Sequence, residues 1–392
     1  MNILHITPYY TPAYAFGGVV RSVEGMTQAL AGRGHTVTVL TTDALHQSRR
    51  YPGPHDEMLN GVRVVRVPNL SPWLRGKLNL STPSRMHKVA RNLLDGIDVV
   101  HCHEFRTVEN LLVTPVAARL GIPLVLSPHG TLSLTTGRSR VKAAWDRLLS
   151  SAVALRFDHV IGLTAAEVEA VKTLWPAFGR RRIPATFSSI PNGVNPAEYE
   201  NLPGRQTFRA RYGLGNGPVC LFMARLHPRK GAHLLAKAFR QANIPEARLV
   251  IAGPDEGGRA LIEPFVDERV ILTGYVGGEE RLAAFAAADV FALPAVGEGL
   301  PMVVLEALAA GLPAIVSPEC YLPEVAQYGA GLEVEPEVDS LVGALRLVLL
   351  EGARRQEMGI AARRLVNEHF TWSQIAAALE AVYEDMQRHH TP

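Results

Sequence analysis

NILHITPYYTPAYAFGGVVRSVEGMTQALAGRGHTVTVLT, residues 2–41, decides the fold. Its opening is a short apolar run ending at Ile6, followed by a loop that carries the paired glycines Gly17 and Gly18. Residues 19–31 then have helical spacing, Gly32 and Gly34 stop that helix, and residues 36–41 are apolar and β-branched again. Strand, glycine loop, helix and strand make a βαβ unit, and short apolar runs of this kind are buried on both faces of a parallel sheet.

Working outward, further strands are expected near residues 62–67, 99–102, 124–127, 159–163 and 187–190, with helices between them. A change of character falls at Pro203 and Gly204, before a polar helix around 208–212 and the glycines of GLGNG. From Val219 the alternation restarts: VCLFMARL, RLVIAG, RVILTG, DVFALPA, PAIVSP and GLEVEP are strand candidates separated by helical stretches. A second doubly wound α/β sheet follows. The domains are therefore expected at residues 1–200 and 205–370, with an amphipathic last helix at about 372–392 carrying Ile375, Ala378, Leu379 and Tyr383 on one stripe. In open α/β sheets ligands sit beyond the carboxyl ends of the strands, so the loops there are where functional groups are sought.

The 392 residues, 47% of them hydrophobic and 20% charged, can bury a sizeable core and argue against wholesale disorder. Mean hydropathy is +0.07. The longest apolar stretches are interrupted by Asp289, Glu306, Gly or Pro before reaching the roughly 18 residues of a membrane span, and no secretory signal is visible, so a cytoplasmic location is expected. Cys102, Cys220 and Cys320 are odd in number and widely spaced, which fits reduced thiols. Residues 1–200 hold 22 Lys and Arg against 14 Asp and Glu, or +8, and the remainder carries −5 to reach the net +3. That asymmetry suits an anionic partner for the first half, a phosphorylated acceptor or an acidic membrane surface. Nucleic acid is not expected, because the basic residues are scattered without a stacking platform.

The chemistry concentrates in two loops of the second half. In EGLPMVVLEA, residues 298–307, Glu298 projects from a loop and Glu306 from the helix opening near Pro301, whose free amides form an anion site. One carboxylate is placed to meet sugar hydroxyls and the other a ribose diol; two surface glutamates are the plainer alternative. In ARLHPRKG, residues 224–231, Arg225 and Lys230 lie between a strand and a helix start, where cations would stabilise a departing diphosphate; a solvated basic loop is the alternative. The Gly17–Gly18 pair permits close backbone approach to a ligand, although Gly-x-Gly-x-x-Gly is missing, which counts against a nicotinamide dehydrogenase. His129 ends the apolar run PLVLS at a sheet's carboxyl edge, where a structural hydrogen-bonding histidine is the commoner case. HCHE, residues 101–104, puts His101 and His103 on one strand face, but no third ligand at a recognisable spacing accompanies them, and no metal site or Asp-x-Asp sequence is assigned.

In combination these residues resemble glycosyltransferase family 4, the large retaining group 1 family, over nearly the whole chain. The glutamate-seven-residues-glutamate element from Glu298 to Glu306, with Arg225 and Lys230 upstream, carries most of the likeness; HGTLS, GLTAAE, IPNGVN and FTW add landmarks. Asn195 departs from the aspartate common after the NGV turn. The resemblance implies a GT-B fold, two Rossmann-like domains facing across a cleft, with the last helix crossing back to the first. It implies that Glu298 meets the donor sugar, helped by the amides of Gly299 and Leu300, that Glu306 holds the ribose, and that Arg225 and Lys230 bind the diphosphate. His129 would touch the sugar, the Gly17–Gly18 loop would lie near the diphosphate, and the backbone at Gly274, Tyr275 and Val276 would meet the nucleobase.

The expected activity is retaining transfer of a sugar from a nucleotide-diphosphate sugar, with no cofactor and no divalent metal, to a saccharide or lipid-linked acceptor in bacterial cell-surface polysaccharide or glycolipid synthesis. The basic stretch 69–88 is a candidate peripheral contact with a membrane. A nucleotide-sugar epimerase or hydrolase on the same fold, and a non-catalytic nucleotide-sugar-binding protein, are the competing readings.

Overall fold

The computed structural model describes residues 1–46, 48–71, 73–75, 80–132, 139–178 and 186–390. Ser133 of HGTLS, and Pro72 and residues 76–79 of the basic stretch, lie outside them. The chain divides into two compact units: Met1–Gly193 with Trp372–Pro392, and Val194–Thr371. The changeover at Gly193 comes ten residues before the break in composition at Pro203, because residues 194–204 already pair with the second unit. Val194 donates to the Phe370 carbonyl at 2.7 Å, and Tyr199, 2% exposed, packs edge-on against Phe285.

The strands of the first unit are Asn2–Ile6 (β1), Thr36–Thr42 (β2), Asp56–Leu59 (β3), Val62–Val67 (β4), Val99–His103 (β5), Leu124–Ser127 (β6), His159–Gly162 (β7) and Thr186–Ser189 (β8). They form one sheet in the order β3-β4-β2-β1-β5-β6-β7-β8. Only the β3–β4 pair is antiparallel, and β3 was missed by sequence reading because DEML is a polar edge strand without an apolar run. Alternate residues of the buried strands feed opposite faces. Leu4, Ile6 and Cys102 pack with Val113 and Ala117 on one face; Ile3, Val37, Val39 and Val99 pack on the other with Ile375, Leu379 and Tyr383 of the last helix, Trp372–His390.

That helix explains two of the sequence landmarks. The Trp372 ring fills the space where a Cβ on Gly25 or Gly193 would stand, so the FTW and NGV elements are two halves of one close approach. Ser22 Oγ donates to the side-chain Oδ1 of Asn192 at 2.6 Å in the same place.

The second unit holds Val219–Met223 (β9), Arg248–Ala252 (β10), Val270–Gly274 (β11), Val290–Leu293 (β12), Ala314–Val316 (β13) and Gly331–Glu333 (β14), all parallel, in the order β11-β10-β9-β12-β13-β14. This is the doubly wound order in which the chain reverses direction between its first and fourth strands, here β9 and β12. In the first unit the reversal lies between β1 and β5. The loops leaving the carboxyl ends of these strands are thus the places to look for a site.

Candidate functional site

In the second unit the loops after β9 and β12 meet. Lys230 Nζ forms an ion pair with Glu298 Oε1, with side-chain exposures of 15% and 12%. The backbone brings them there. Val296 donates to the Arg229 carbonyl at 2.7 Å, and Arg229 Nη2 donates to the Gly297 carbonyl at 3.0 Å. Gly231, at φ 74, permits the contact, since a Cβ there would run into the Pro294 carbonyl. Glu319 holds the far side: its carboxylate accepts from the Gly297 amide at 2.6 Å and its carbonyl from the Glu298 amide at 3.2 Å. Arg229 and Glu319 had no signal in the sequence beyond ordinary surface charge.

Leu300, 3% exposed, takes a left-handed φ of 64, turning the chain into the helix Met302–Ala309 behind Pro301. Gly299 and Leu300 therefore enter the helix from beside Glu298. Glu306 lies within it, 5% exposed, and is paired with Arg281 at 2.7 Å. Arg281 Nη1 also donates to the Tyr199 hydroxyl at 3.1 Å. Burial works against the Arg281 charge, but Glu306 and Tyr199 outweigh it and the guanidinium is held above its ordinary range. Arg281 was invisible as a site residue because it sits in an unremarkable helix, Gly278–Ala287.

Arg225 is apart from this pair in its bonding: it reaches Glu256, in the loop after β10, at 2.8 Å, and is 48% exposed. At the end of β11 the Gly274 carbonyl accepts from Gly253 at 2.8 Å; Tyr275 is 58% exposed and Val276 5% exposed. Every charged group singled out in this unit, namely Glu298, Glu306, Arg225 and Lys230, has an internal counter-ion.

In the first unit Gly17, at φ 107, caps the helix that opens at Gly18 after the β1 loop. His129 follows β6 in a left-handed conformation, φ 53, and Gly130 continues it at φ 73. The turn is held by Glu167, whose carboxylate accepts from the Gly130 amide at 2.6 Å and the Leu163 amide at 2.8 Å. The HGTLS and GLTAAE landmarks are thereby one hydrogen-bonded device. His129 Nε2 meets His103 Nδ1 at 3.0 Å, and His103 Nε2 meets His5 Nδ1 at 2.9 Å. Burial pushes His5 down to about 3 and His129 to about 4, and His101 and His103 well below the ordinary histidine range, so all four are neutral at pH 7.

His5, His101 and His103 bring three ring nitrogens within 4.8 Å of one another. His5 is the third histidine that spacing could not reveal, since it reaches β5 only through the β1–β5 register that pairs it with His101. Five of the cluster's six ring nitrogens are hydrogen-bonded within the fold, and His5 Nε2 is the one that is not. His101 is bonded by the Tyr383 hydroxyl at 2.6 Å and Ser127 Oγ at 2.8 Å, and the His5–His103 bond occupies one nitrogen of each.

The sequence profile described as Glycosyltransferase Family 4 matches residues 16–198, and that described as Glycosyl transferases group 1 matches 204–365. A GDP-mannose-dependent alpha-(1-6)-phosphatidylinositol monomannoside mannosyltransferase of Mycolicibacterium smegmatis is 30% identical over 346 residues, covering 82% of this chain and 83% of its own. A D-inositol 3-phosphate glycosyltransferase of Kineococcus radiotolerans is 29% identical, covering 97% and 93%. The crystal structure of Anabaena HepE in complex with UDP-glucose is similar in fold, with a TM-score of 0.74 at 19% identity over 98% of this chain and 100% of that one. Two Rossmann-like units in one chain define the GT-B class of glycosyltransferase. The chain belongs to the group 1, family 4 glycosyltransferases and is a hexosyltransferase. Among the described residues no helix is long and apolar enough to cross a membrane.

Proposed function

We propose that the enzyme transfers a hexose from a nucleotide-diphosphate sugar with retention of anomeric configuration, and that Lys230 and Glu298 grip the donor. The observation that carries this is their ion pair beside the β9–β12 reversal, where doubly wound sheets take ligands. A diphosphate reaching Lys230 replaces Glu298 as its counter-ion, and the released carboxylate accepts hydrogen bonds from the sugar hydroxyls. Arg225 adds charge to the diphosphate, Gly299 and Leu300 offer backbone amides, Glu306 accepts from the ribose, and the backbone at Tyr275 and Val276 borders the base. His129, with the Gly17–Gly18 loop, serves the sugar and diphosphate from the first unit.

In the transfer step the acceptor oxygen bonds to the anomeric carbon as the carbon–oxygen bond to the diphosphate breaks, and the departing diphosphate takes the acceptor's proton. Attack and departure on one face retain the configuration. Lys230 stabilises the charge that develops on the leaving group. Fixed cations make a divalent metal unnecessary, and no further cofactor enters the step. A bacterial saccharide or lipid-linked acceptor at a membrane face suits the +8 balance of the first 200 residues.

The test is a panel of nucleotide sugars and acceptors, with chelator present, read by product anomeric configuration. An α-linked product from an α-linked donor, formed in chelator, is expected. An inverted linkage, metal dependence, or free or isomerised sugar without acceptor would contradict the reading.

A further inference from the structure

The three histidines His5, His103 and His129 lie in one line from the β1 core to the end of β6. The two N···N distances are 2.9 and 3.0 Å, and both ring pairs have centroids 5.2 Å apart with their planes close to parallel, at 8° and 30°. A neutral imidazole carries one N–H and one bare nitrogen, so each ring that donates to the next must accept from the one before. The protons therefore have two registers only. In one, His5 donates from Nδ1 to His103, His103 from Nδ1 to His129, and His129 is left with its Nδ1–H pointing outward as a donor. In the other all three protons sit on Nε2, and His129 offers a bare Nδ1.

The inner end of the line decides between them. His5 is 0% exposed and its Nε2 has no hydrogen-bond partner. The second register buries an N–H with no acceptor, which folded proteins avoid more strictly than an unmet acceptor; the first leaves only a lone pair unmet. At the outer end His129 is partly exposed, and water serves either form. We propose that His5 and His103 are positioning residues that lock His129 in the Nδ1–H tautomer, so that it presents a hydrogen-bond donor, through a relay that begins at an unpartnered nitrogen in the sheet core. The low histidine basicity agrees, because burial disfavours the imidazolium and keeps the rings in the neutral form that the alternation needs. The use of that donor on a sugar oxygen rests on the role given to His129 above; the tautomer itself does not.

The experiment is long-range proton–nitrogen correlation on protein labelled with ¹⁵N-histidine, at pH 7, alone and with added zinc. His129 is expected to carry its proton on Nδ1 with Nε2 bare, and zinc to leave His5 and His103 unchanged. An Nε2–H or doubly protonated His129, or stoichiometric zinc binding at His5 and His103, would overturn the proposal. His5→Phe, which keeps a ring without nitrogens, is expected to give mixed His129 tautomers and a roughly threefold to tenfold loss of kcat/KM, the scale of one neutral hydrogen bond. His5→Asn, which keeps a donor near the Nδ1 position, is expected to restore both. An unchanged tautomer in a folded His5→Phe protein overturns the relay, and if that variant does not fold, the wild-type and His5→Asn spectra decide. Near-normal transfer by His129→Ala, with the wild-type spectrum as expected, would sink the donor-sugar role alone.

Discussion

Lys230 and Glu298, 68 residues apart in the chain, neutralise one another. The pair is held by a hydrogen-bonded clasp between Arg229, through its carbonyl and its guanidinium, and the 296–297 segment rather than by its own attraction alone. Prepaired charges avoid the penalty of a lone buried ion, and donor binding then becomes an exchange of counter-ions. Lys230→Ala is expected to lower kcat about 10²–10³-fold, the usual loss when a charge-stabilising donor is removed. A loss under about threefold, by initial-rate kinetics, would remove Lys230 from the reaction.

Arg281 and Glu306 form the more deeply buried pair, with side-chain exposures of 10% and 6%. Breaking such a pair from one side strands a charge and costs about 3–5 kcal/mol. Urea unfolding of Glu306→Leu is expected to show a loss of this size, while Arg281→Met with Glu306→Leu recovers most of it. Equal destabilisation by the single and double variants would contradict the account of the pair.

Gly231 is required twice over, by its positive φ and by the Pro294 carbonyl where a Cβ would stand. Gly231→Ala is expected to destabilise by about 2–4 kcal/mol and to weaken nucleoside diphosphate binding, because the loop that carries Lys230 must shift. Wild-type stability and affinity together would show that the approach is not tight.

The buried groups of the first unit set a pH dependence whose sign can be worked out. Burial holds His5 at about 3 and His129 and His159 at about 4 against 6.5 when unfolded, with Asp385 opposing at His159, and lowers His101 and His103 too. Their contribution is complete above 6.5 and lost as pH falls toward the folded values, at about 1.4 kcal/mol per pH unit for each group. Glu109 and Glu104, pushed up by burial to about 7, and Glu167, also raised, run the other way: their contribution is present below 4.5 and lost as pH rises through the folded values. Five groups oppose three, so stability of the first unit is expected to rise between about pH 4.5 and 6.5. Chemical unfolding across that range that is flat or falling would contradict this balance.

What was legible in the sequence follows from what each residue depends on. The apolar runs at 2–6, 219–223 and 290–293 were readable because a strand buried on both faces has one composition whatever its neighbours. β3 was not, since an edge strand owes its place to pairing with β4. Glu298 and Lys230 stood out as chemical types in loops after strands. Arg281, Glu319 and Arg229 did not, because their partners come from distant segments brought together by the fold. His5 is the sharpest instance: an ordinary strand residue until the β1–β5 register sets it beside His101 and in reach of His103. The division into units falls at Gly193, ahead of the break in composition, for a related reason, as residues 194–204 look like a linker yet are bonded to the second unit.

The central claim is the exchange of Glu298 for the donor's diphosphate at Lys230, and titration calorimetry tests it by comparing a nucleoside diphosphate with the matching nucleotide sugar. Glu298→Gln is expected to bind the diphosphate as tightly as wild type or tighter, because its competitor for Lys230 has lost its charge, while the added affinity from the sugar disappears. Lys230→Ala is expected to lose affinity for both ligands by tenfold or more. Diphosphate binding weakened by Glu298→Gln and untouched by Lys230→Ala would contradict the account.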